Sequence, residues 1–200
     1  KKYSLHLSEL FSEIALYDPT LTLTVPKDIT IQTGLDSLSH ALESIWNKNA
    51  NHITINYAIR SAKLIMKYLP LLVKDLENLE YRMQLLKACM YSGLAFSNTQ
   101  TAIAHGISYY ITANKGIDHG IACSFTLPLL IDNILGKYEV IDKALEEIFG
   151  ELGSNKLRAM FKELNVSTKF SDYGIEENEL ENLKASLSDN QRAGNSLVKL

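Results

Sequence analysis

Cysteine is scarce in this sequence, and the two cysteines present, Cys89 and Cys123, are far apart. Because no C-x-x-C spacing occurs, the sequence excludes both a disulfide-rich scaffold and a zinc site built from paired cysteines. Both cysteines lie in strongly apolar stretches, where a free thiol usually behaves as a small hydrophobic side chain. We therefore expect both cysteines to be buried and reduced.

The sequence also lacks long apolar runs and any excess of basic charge. No run approaches the roughly 20 residues that a membrane-spanning helix needs, and the opening residues 1–6 lack the apolar core of a secretory signal. Lysine and arginine are interspersed with aspartate and glutamate, and the formal net charge of −3 argues against nucleic acid as a partner. We expect a soluble cytoplasmic protein with no membrane partner.

The remaining composition is that of one ordinary globular domain, with 200 residues of which 46% are apolar and 22% are charged. Residues 1–28 are predicted to form a short β-strand and a connector, because Leu21 to Val25 alternate apolar and polar residues before Pro26. In residues 29–200 the apolar positions recur at helical spacing. The sequence therefore predicts an all-α helical bundle that follows a short β segment.

Four apolar stretches in the first part of this bundle are predicted to be helices. The first follows a cap at Thr33, the second ends at Pro70, and the third covers residues 79–96. The fourth covers residues 99–112 and is rich in small residues, so we expect it to lie deep in the domain. Pro128 is expected to kink or interrupt a further helix, and the polar residues after Ser188 are expected to be loosely held.

Four residues that can bind metal ions fall in these stretches: Asp36, His40, His105 and His119. Asp36 and His40 are four positions apart, so a helix places them one turn apart on one face. A break at Gly116, between the later two histidines, lets the chain turn and bring both rings together. Three imidazoles and one carboxylate suit Fe(II), Zn(II), Co(II) or Mn(II), with an open position for substrate.

Each of these residues also has an ordinary structural explanation. An Asp–His pair at this spacing is common on helix surfaces, His105 could be a core histidine with a hydrogen-bond partner, and His119 could lie in a loop. Their apolar or small-residue surroundings favour the metal site, because unpaired polar side chains are costly there. His6 and His52 lack such surroundings and are left out of the predicted site.

Several motifs carry a resemblance to a known family. The segment Gly34-Leu35-Asp36-Ser37-Leu38-Ser39-His40-Ala41-Leu42-Glu43 resembles the G-x-D-A-x-x-H-A-x-E signature of iron-containing (group III) alcohol dehydrogenases. Ala104-His105 and Asp118-His119-Gly120 resemble the later metal-binding motifs of that family, and Asp172-Tyr173-Gly174 resembles a motif near its C-terminus. The resemblance implies that Asp36, His40, His105 and His119 are the metal ligands. It also implies a helical domain like the C-terminal domain of dehydroquinate synthase.

The resemblance implies a metal-dependent oxidoreductase that transfers a hydride between NAD(P) and a small alcohol or aldehyde. The implied metal is Fe(II), with Zn(II) or another divalent ion as the alternative, and a homo-oligomer is implied for the full-length protein. None of the ten glycines forms the Gly-rich phosphate-binding turn that relatives carry in an N-terminal domain. We therefore expect the nucleotide-binding domain to be absent and the isolated chain to be inactive.

Two departures from the family pattern leave the catalytic and nucleotide-binding residues unassigned. Asp118 stands where many relatives have proline, and Ser108-Tyr109 stands where several relatives carry a further histidine. Cys123 follows His119 by one helical turn and could face the metal, although a buried structural thiol is the simpler interpretation.

The substrate branch and the functional class each have alternatives. The run of residues 43–51 resembles the branch of the family that includes phosphonoacetaldehyde reductases. A metal-dependent phosphohydrolase of the HD type is one alternative function, although the adjacent His-Asp pair that it needs is missing. A metal-free helical interaction module is the other.

Overall fold

The protein is an all-α bundle, as predicted, in a computed structural model that describes residues 8–188 and 190–199. Helices α1, α2 and α3 pack against one another, α4 and α5 pack on α1, and α9 and α10 pack on α4. None of the described helices is both long and apolar enough to cross a bilayer. Ten α-helices occur in the described ranges: α1 (Lys27–Ile45), α2 (His52–Leu72), α3 (Leu79–Thr99), α4 (Ile103–Lys115), α5 (His119–Ala122), α6 (Leu127–Ile134), α7 (Glu139–Phe149), α8 (Ser154–Glu163), α9 (Glu177–Ser188) and α10 (Gln191–Gly194).

The β-strand predicted within residues 1–28 is wrong for residues 8–28, and residues 1–7 lie outside the described part of the chain. A 3-10 helix, Pro19–Thr22, occupies the position instead. The Asp18 side chain accepts a hydrogen bond from the Thr20 N–H (2.9 Å), and Pro19 fixes a helical φ at the first position. Leu21 is exposed, so the alternation of apolar and polar residues buries no sheet face.

The first helix has the predicted apolar stripe but a different start. It begins at Lys27 after Pro26, and Thr33 lies inside it, where its hydroxyl donates to the Ile29 carbonyl (2.8 Å). The cap prediction is therefore wrong, because proline before the first turn already supplies a suitable helix start. The stripe itself is fully buried, and its members are Leu35, Leu38, Leu42 and Ile45.

The next two helices are present as predicted, but they end at other residues than predicted. Helix α2 continues through Pro70 to Leu72, so the end predicted at Pro70 is two residues early, although proline removes one hydrogen bond to the preceding turn. Helix α3 begins at Leu79 as predicted, and the hydroxyl of Ser61 on α2 donates to the Ala88 carbonyl of α3 (2.8 Å).

Helices α4 to α6 form the part of the fold that turns the chain back towards α1. Helix α4 begins at Ile103 and not at Thr99, because Gln100 adopts a positive φ of 64° that separates it from α3. Gly116, with a φ of 67°, ends α4 as the predicted break. Pro128 lies in the first turn of α6, which follows the short α5, so the predicted interruption is confirmed.

The C-terminal residues pack against the bundle, and the prediction that they are loosely held is wrong for residues 190–199. The Leu197 N–H donates to the carbonyl of the buried Trp46 (2.9 Å), and the Lys48 N–H donates to the Asn195 carbonyl (2.8 Å). Val198 is also buried. These contacts satisfy backbone groups at the end of α1 that the helix itself leaves without partners.

Candidate metal centre

Helix α1 carries the first two predicted ligands on one face. Asp36 and His40 are one turn apart, and the distance from Asp36 Oδ1 to His40 Nε2 is 3.8 Å. The imidazole of His40 lies between two other rings, stacked on Phe96 at 4.1 Å and on His105 at 4.5 Å between centroids. This stacking holds the His40 ring beside Asp36.

Helices α4 and α5 bring the other two predicted ligands to the same carboxylate. Asp36 Oδ1 lies 3.3 Å from His105 Nε2 and 3.7 Å from His119 Nε2. One carboxylate oxygen therefore lies within 3.8 Å of the Nε2 atoms of all three histidines. The four residues singled out from the sequence are brought together, and His52 lies apart from them, exposed at the start of α2.

A close contact between α1 and α5 determines where His119 lies. Gly120 approaches the Gln32 carbonyl so closely that a Cβ atom there would lie 2.1 Å from the oxygen. The side-chain amide of Gln32 also donates to Asp118 Oδ2 (2.8 Å). Asp118 thus helps to hold α5 on α1.

His105 provides a test of whether a metal ion fits the cluster. Its side chain is 2% exposed, and its Nε2 atom is buried without a hydrogen bond, although Asp36 Oδ1 lies 3.3 Å away. Its Nδ1 atom lies 2.6 Å from Glu43 Oε2. A histidine held by a carboxylate through one ring nitrogen, with the other nitrogen turned to a shared centre, is typical of metal ligands. The residues present therefore fit a divalent metal ion.

Glu43 is the site residue that the sequence did not single out beyond its place in the signature motif. It is completely buried on α1 and accepts hydrogen bonds from three backbone N–H groups at the start of α4, those of Ala102, Ala104 and His105. Its position three residues after His40 was the available signal, because that spacing places both side chains on one helix face.

Cys123 also reaches the cluster. Its thiol donates to Asp36 Oδ1 (3.3 Å), and its sulfur lies with the ligand atoms of Asp36, His105 and His119, all within 4.8 Å of one another. Burial, together with the negative charge of Asp36, holds the pKa of the Cys123 thiol well above its usual range. The predicted burial of Cys123 is confirmed, whereas Cys89 is only partly buried.

The electrostatics of the cluster favour a cation. Burial opposes ionisation of Asp36, but the neighbouring His105 and His40 outweigh it and lower the pKa of that carboxyl. Burial and the charge of His105 lower the pKa of His40 to about 4. Burial also opposes protonation of His105, yet the carboxylates of Glu43 and Asp36 raise its pKa to about 9. Without metal, a proton on His105 thus partly offsets the two negative charges.

The cluster is open to solvent on the His119 side. The side chain of His119 is 43% exposed, whereas that of His40 is 18% exposed. The ring of Tyr109 stacks beside His119 at 6.5 Å between centroids, and the guanidinium of Arg192 lies 5.2 Å from the Tyr109 ring. Tyr109 therefore lies at the accessible edge of the cluster. Tyr173 of the C-terminal motif packs instead on Phe125.

Comparison with known proteins gives one consistent family. Residues 30–196 match the family model for the C-terminal part of the Fe-containing alcohol dehydrogenase family. Over 181 residues the chain is 31% identical to an NAD-dependent methanol dehydrogenase from Bacillus methanolicus, covering 84% of this chain and 47% of that protein. A 1-propanol dehydrogenase from Citrobacter freundii is 34% identical over 130 residues, covering 65% of this chain and 35% of that protein.

Solved structures agree with the sequence relatives. The sulfoacetaldehyde reductase from Bifidobacterium kashiwanohense, in complex with NAD⁺, superposes with a TM-score of 0.84 at 30% identity, covering 91% of this chain and 49% of that chain. An iron-containing alcohol dehydrogenase from Thermotoga maritima superposes with a TM-score of 0.77 at 27% identity, covering 92% and 48%. The chain thus spans about half the length of these structures, and half or less of the curated relatives.

Proposed function

This chain belongs to the iron-containing alcohol dehydrogenase family, and from that premise we propose that it is the metal-binding catalytic part of an NAD(P)-dependent dehydrogenase. The reaction is hydride transfer between the nicotinamide and a small alcohol or aldehyde. The observation that carries this proposal is the convergence of three histidine Nε2 atoms on Asp36 Oδ1, at 3.3 to 3.8 Å. The phosphohydrolase and the metal-free module are not favoured by any relative found.

Asp36, His40, His105 and His119 are the proposed ligands of one divalent ion. Nitrogen and oxygen ligands without thiolate suit Fe(II), and they also suit Zn(II), since ligand type alone does not separate first-row metals. When bound, the metal supplies Lewis-acid polarisation of the substrate oxygen. The orphaned Nε2 of His105 supports this set, because a buried nitrogen with no hydrogen bond gains a partner when metal binds.

The chain's own residues shape the surroundings of the metal. Phe96 stacks on the His40 ring, and the thiol of the buried Cys123 donates to Asp36 Oδ1. The open side at His119, beside Tyr109, is the proposed approach for substrate and nicotinamide. A site that is closed on one side and open on the other leaves a coordination position for substrate, as catalytic metal sites require.

The nucleotide-binding part is proposed to be a separate N-terminal domain, with residues 29–200 as the metal-binding domain and the residues before them as the connector. Supporting this division, the chain covers about half of its relatives. Several large apolar side chains just before α1 are also exposed, as expected for a surface that another domain covers. Ile14 is 86% exposed and Leu16 is 92% exposed.

Substrate class is the finer part of the proposal. We place the protein in the branch near phosphonoacetaldehyde reductases, and its similarity to a sulfoacetaldehyde reductase supports this placement. Both names denote an acetaldehyde that carries an anionic group. We further propose that the complete protein works in the cytoplasm, and that it forms a homo-oligomer, as the resemblance of its motifs to the family implies.

Metal stoichiometry tests the core of the proposal. After anaerobic loading with Fe(II) or Zn(II) and removal of excess ion, wild type should retain about one ion per chain, while Asp36→Ala and His105→Ala should retain none. His52→Ala is the matched control, because that histidine is exposed and outside the cluster, and it should load like wild type. Retention of the ion by both site variants would contradict the ligand assignment.

We expect dehydrogenase activity to require the nucleotide-binding domain in addition to this chain. The chain alone should bind metal without oxidising NAD(P)H, and fusion to the nucleotide-binding domain of a relative should give turnover with aldehydes. Phosphonoacetaldehyde and sulfoacetaldehyde should have higher kcat/KM than propanal in that fusion. Equal or better use of propanal would contradict the proposed branch while leaving the dehydrogenase assignment intact.

A further inference from the structure

A second carboxylate, that of Glu43, meets His105 on the side of the ring that faces away from Asp36. Its Oε2 atom lies 2.6 Å from His105 Nδ1, whereas Asp36 Oδ1 lies 3.3 Å from Nε2 of the same ring. Glu43 is 0% exposed, so its charge has no contact with solvent. A fully buried carboxylate is costly unless hydrogen-bond donors surround it.

The donors around Glu43 come from the start of α4. Oε2 also accepts from the Ala102 N–H (2.9 Å), and Oε1 accepts from the N–H groups of Ala104 and His105. Helix α4 has no side-chain cap of its own at Ala102, so Glu43 satisfies N–H groups that the helix leaves without partners. The carboxylate is therefore fixed in place by the same helix that carries His105.

The chemistry of this contact determines the state of the His105 ring. An ionised carboxylate can only accept hydrogen bonds, so the Nδ1 atom that faces it must carry hydrogen. In the neutral ring the lone pair then lies on Nε2, the atom that is buried without a hydrogen bond and turned to Asp36. We propose that Glu43 is a positioning residue that fixes the orientation and tautomer of His105 for metal binding; this inference rests on the proposed function.

A purely structural role, in which Glu43 caps α4 and does nothing more, makes a different prediction. In Glu43→Gln the oxygen keeps two of the three backbone hydrogen bonds, those from Ala104 and His105, when the amide nitrogen takes the place of Oε2. Its amide N–H would face His105 Nδ1 as a donor and favour hydrogen on Nε2, which opposes metal binding. A cap alone predicts unchanged metal affinity in this variant, whereas a positioning role predicts a marked loss.

The experiment is a chelator-competition titration with Zn(II) on wild type, Glu43→Gln and Ser61→Ala. Ser61→Ala removes a buried hydrogen bond between α2 and α3 that does not contact the site, so it controls for general loss of stability. We expect Glu43→Gln to bind Zn(II) about 10- to 100-fold more weakly than wild type, and Ser61→Ala to bind like wild type. Equal affinity in wild type and a folded Glu43→Gln would overturn the inference alone.

A spectroscopic measurement on wild type keeps the inference testable if Glu43→Gln does not fold. In the Zn(II)-loaded chain labelled with ¹⁵N-histidine, His105 should show a protonated Nδ1 and a metal-bound Nε2. Zinc on Nδ1 of His105 would overturn the positioning role. Failure of wild type itself to bind Zn(II) would instead overturn the proposed function, and this inference with it.

Discussion

His40 and His105 lie face to face at 4.5 Å, yet their protonation equilibria are shifted in opposite directions. Burial and the charge of its neighbour lower the pKa of His40 to about 4. Burial acts on His105 in the same sense, but the carboxylates of Glu43 and Asp36 outweigh it and raise that pKa to about 9. In the metal-free chain near neutral pH, both ring nitrogens of His105 are therefore protonated and the ring is charged, whereas the His40 ring is neutral.

This difference predicts how metal affinity depends on pH. A metal ion that binds His105 Nε2 must displace the proton there, and that proton is held until the pH rises through about 9. Apparent Zn(II) affinity should rise by about tenfold per pH unit below that value and level off above it. Chelator competition between about pH 7 and about pH 10 measures the slope. A flat profile below the His105 pKa would contradict the predicted proton release.

Cys123 allows a prediction that distinguishes a ligand of the metal ion from a residue that only lies beside the ion. In the metal-free chain its thiol is buried, has a pKa well above the usual range and donates to Asp36, and it is not one of the four proposed ligands. Cys123→Ala should therefore retain about one Zn(II) per chain, and the native thiol should resist alkylation. Loss of metal comparable to that of Asp36→Ala would place the sulfur among the ligands.

Among single residues, the sequence allowed us to pick out those whose side-chain type can bind a metal ion. Three histidines and an aspartate in apolar surroundings predict a metal site without any knowledge of the fold. The residue type of Glu43 gives no such indication, because a glutamate on a helix is ordinarily solvated, so only its spacing from His40 pointed to the site. Its burial depends on the start of α4 docking against α1, a contact between residues about 60 positions apart that periodicity does not encode.

Among the helices, the contact of α5 with α1 determines whether His119 reaches Asp36. The predicted change is Gly120→Ala, because the added methyl group would meet the backbone carbonyl of Gln32, which cannot move as a side-chain end can. We expect unfolding free energy to fall by about 1–3 kcal/mol, with loss of the metal. Urea unfolding and metal stoichiometry measure the two effects.

Gly93→Ala is the matched control for that change. Gly93 lies inside α3, and a Cβ there would meet no atom within 4 Å. Alanine at this position should be neutral or raise the unfolding free energy by up to about 1 kcal/mol. Similar losses in both variants would indicate that the effect comes from the glycine backbone in general and not from the contact between α1 and α5.

The helices also show which structural features the periodicity of apolar residues can predict and which it cannot. The buried stripe of α1 was predictable because apolar residues recur at every third or fourth position. The start of the helix was not predictable, because Pro26 fits a helix start as readily as a strand end. The alternation near Leu21 predicted a strand, yet a single Asp18-Pro19 pair sufficed to form a 3-10 helix. Local capping chemistry therefore overrode the apolar pattern.

For the whole molecule, the C-terminal residues connect the end of α1 to the metal-bearing helices. Arg192 of α10 donates to Thr101, just before α4, and the Asn195 side chain donates to the Thr101 carbonyl (3.1 Å). The sequence predicted a loose segment because its residues are polar. Polar residues there make hydrogen bonds to backbone groups far away in the sequence, and no local pattern reports such partners.

Val198 gives the test of this arrangement. Its side chain is buried, and the neighbouring Leu197 N–H is bonded to the Trp46 carbonyl, so the segment packs as part of the core. Val198→Ala should lower the unfolding free energy by about 1–2 kcal/mol, while Lys199→Ala, at an exposed position, should leave it unchanged. Urea unfolding curves with equal slopes give the comparison. If both variants match wild type, the Val198 side chain contributes nothing measurable to the stability of the bundle, and its burial in the core is contradicted.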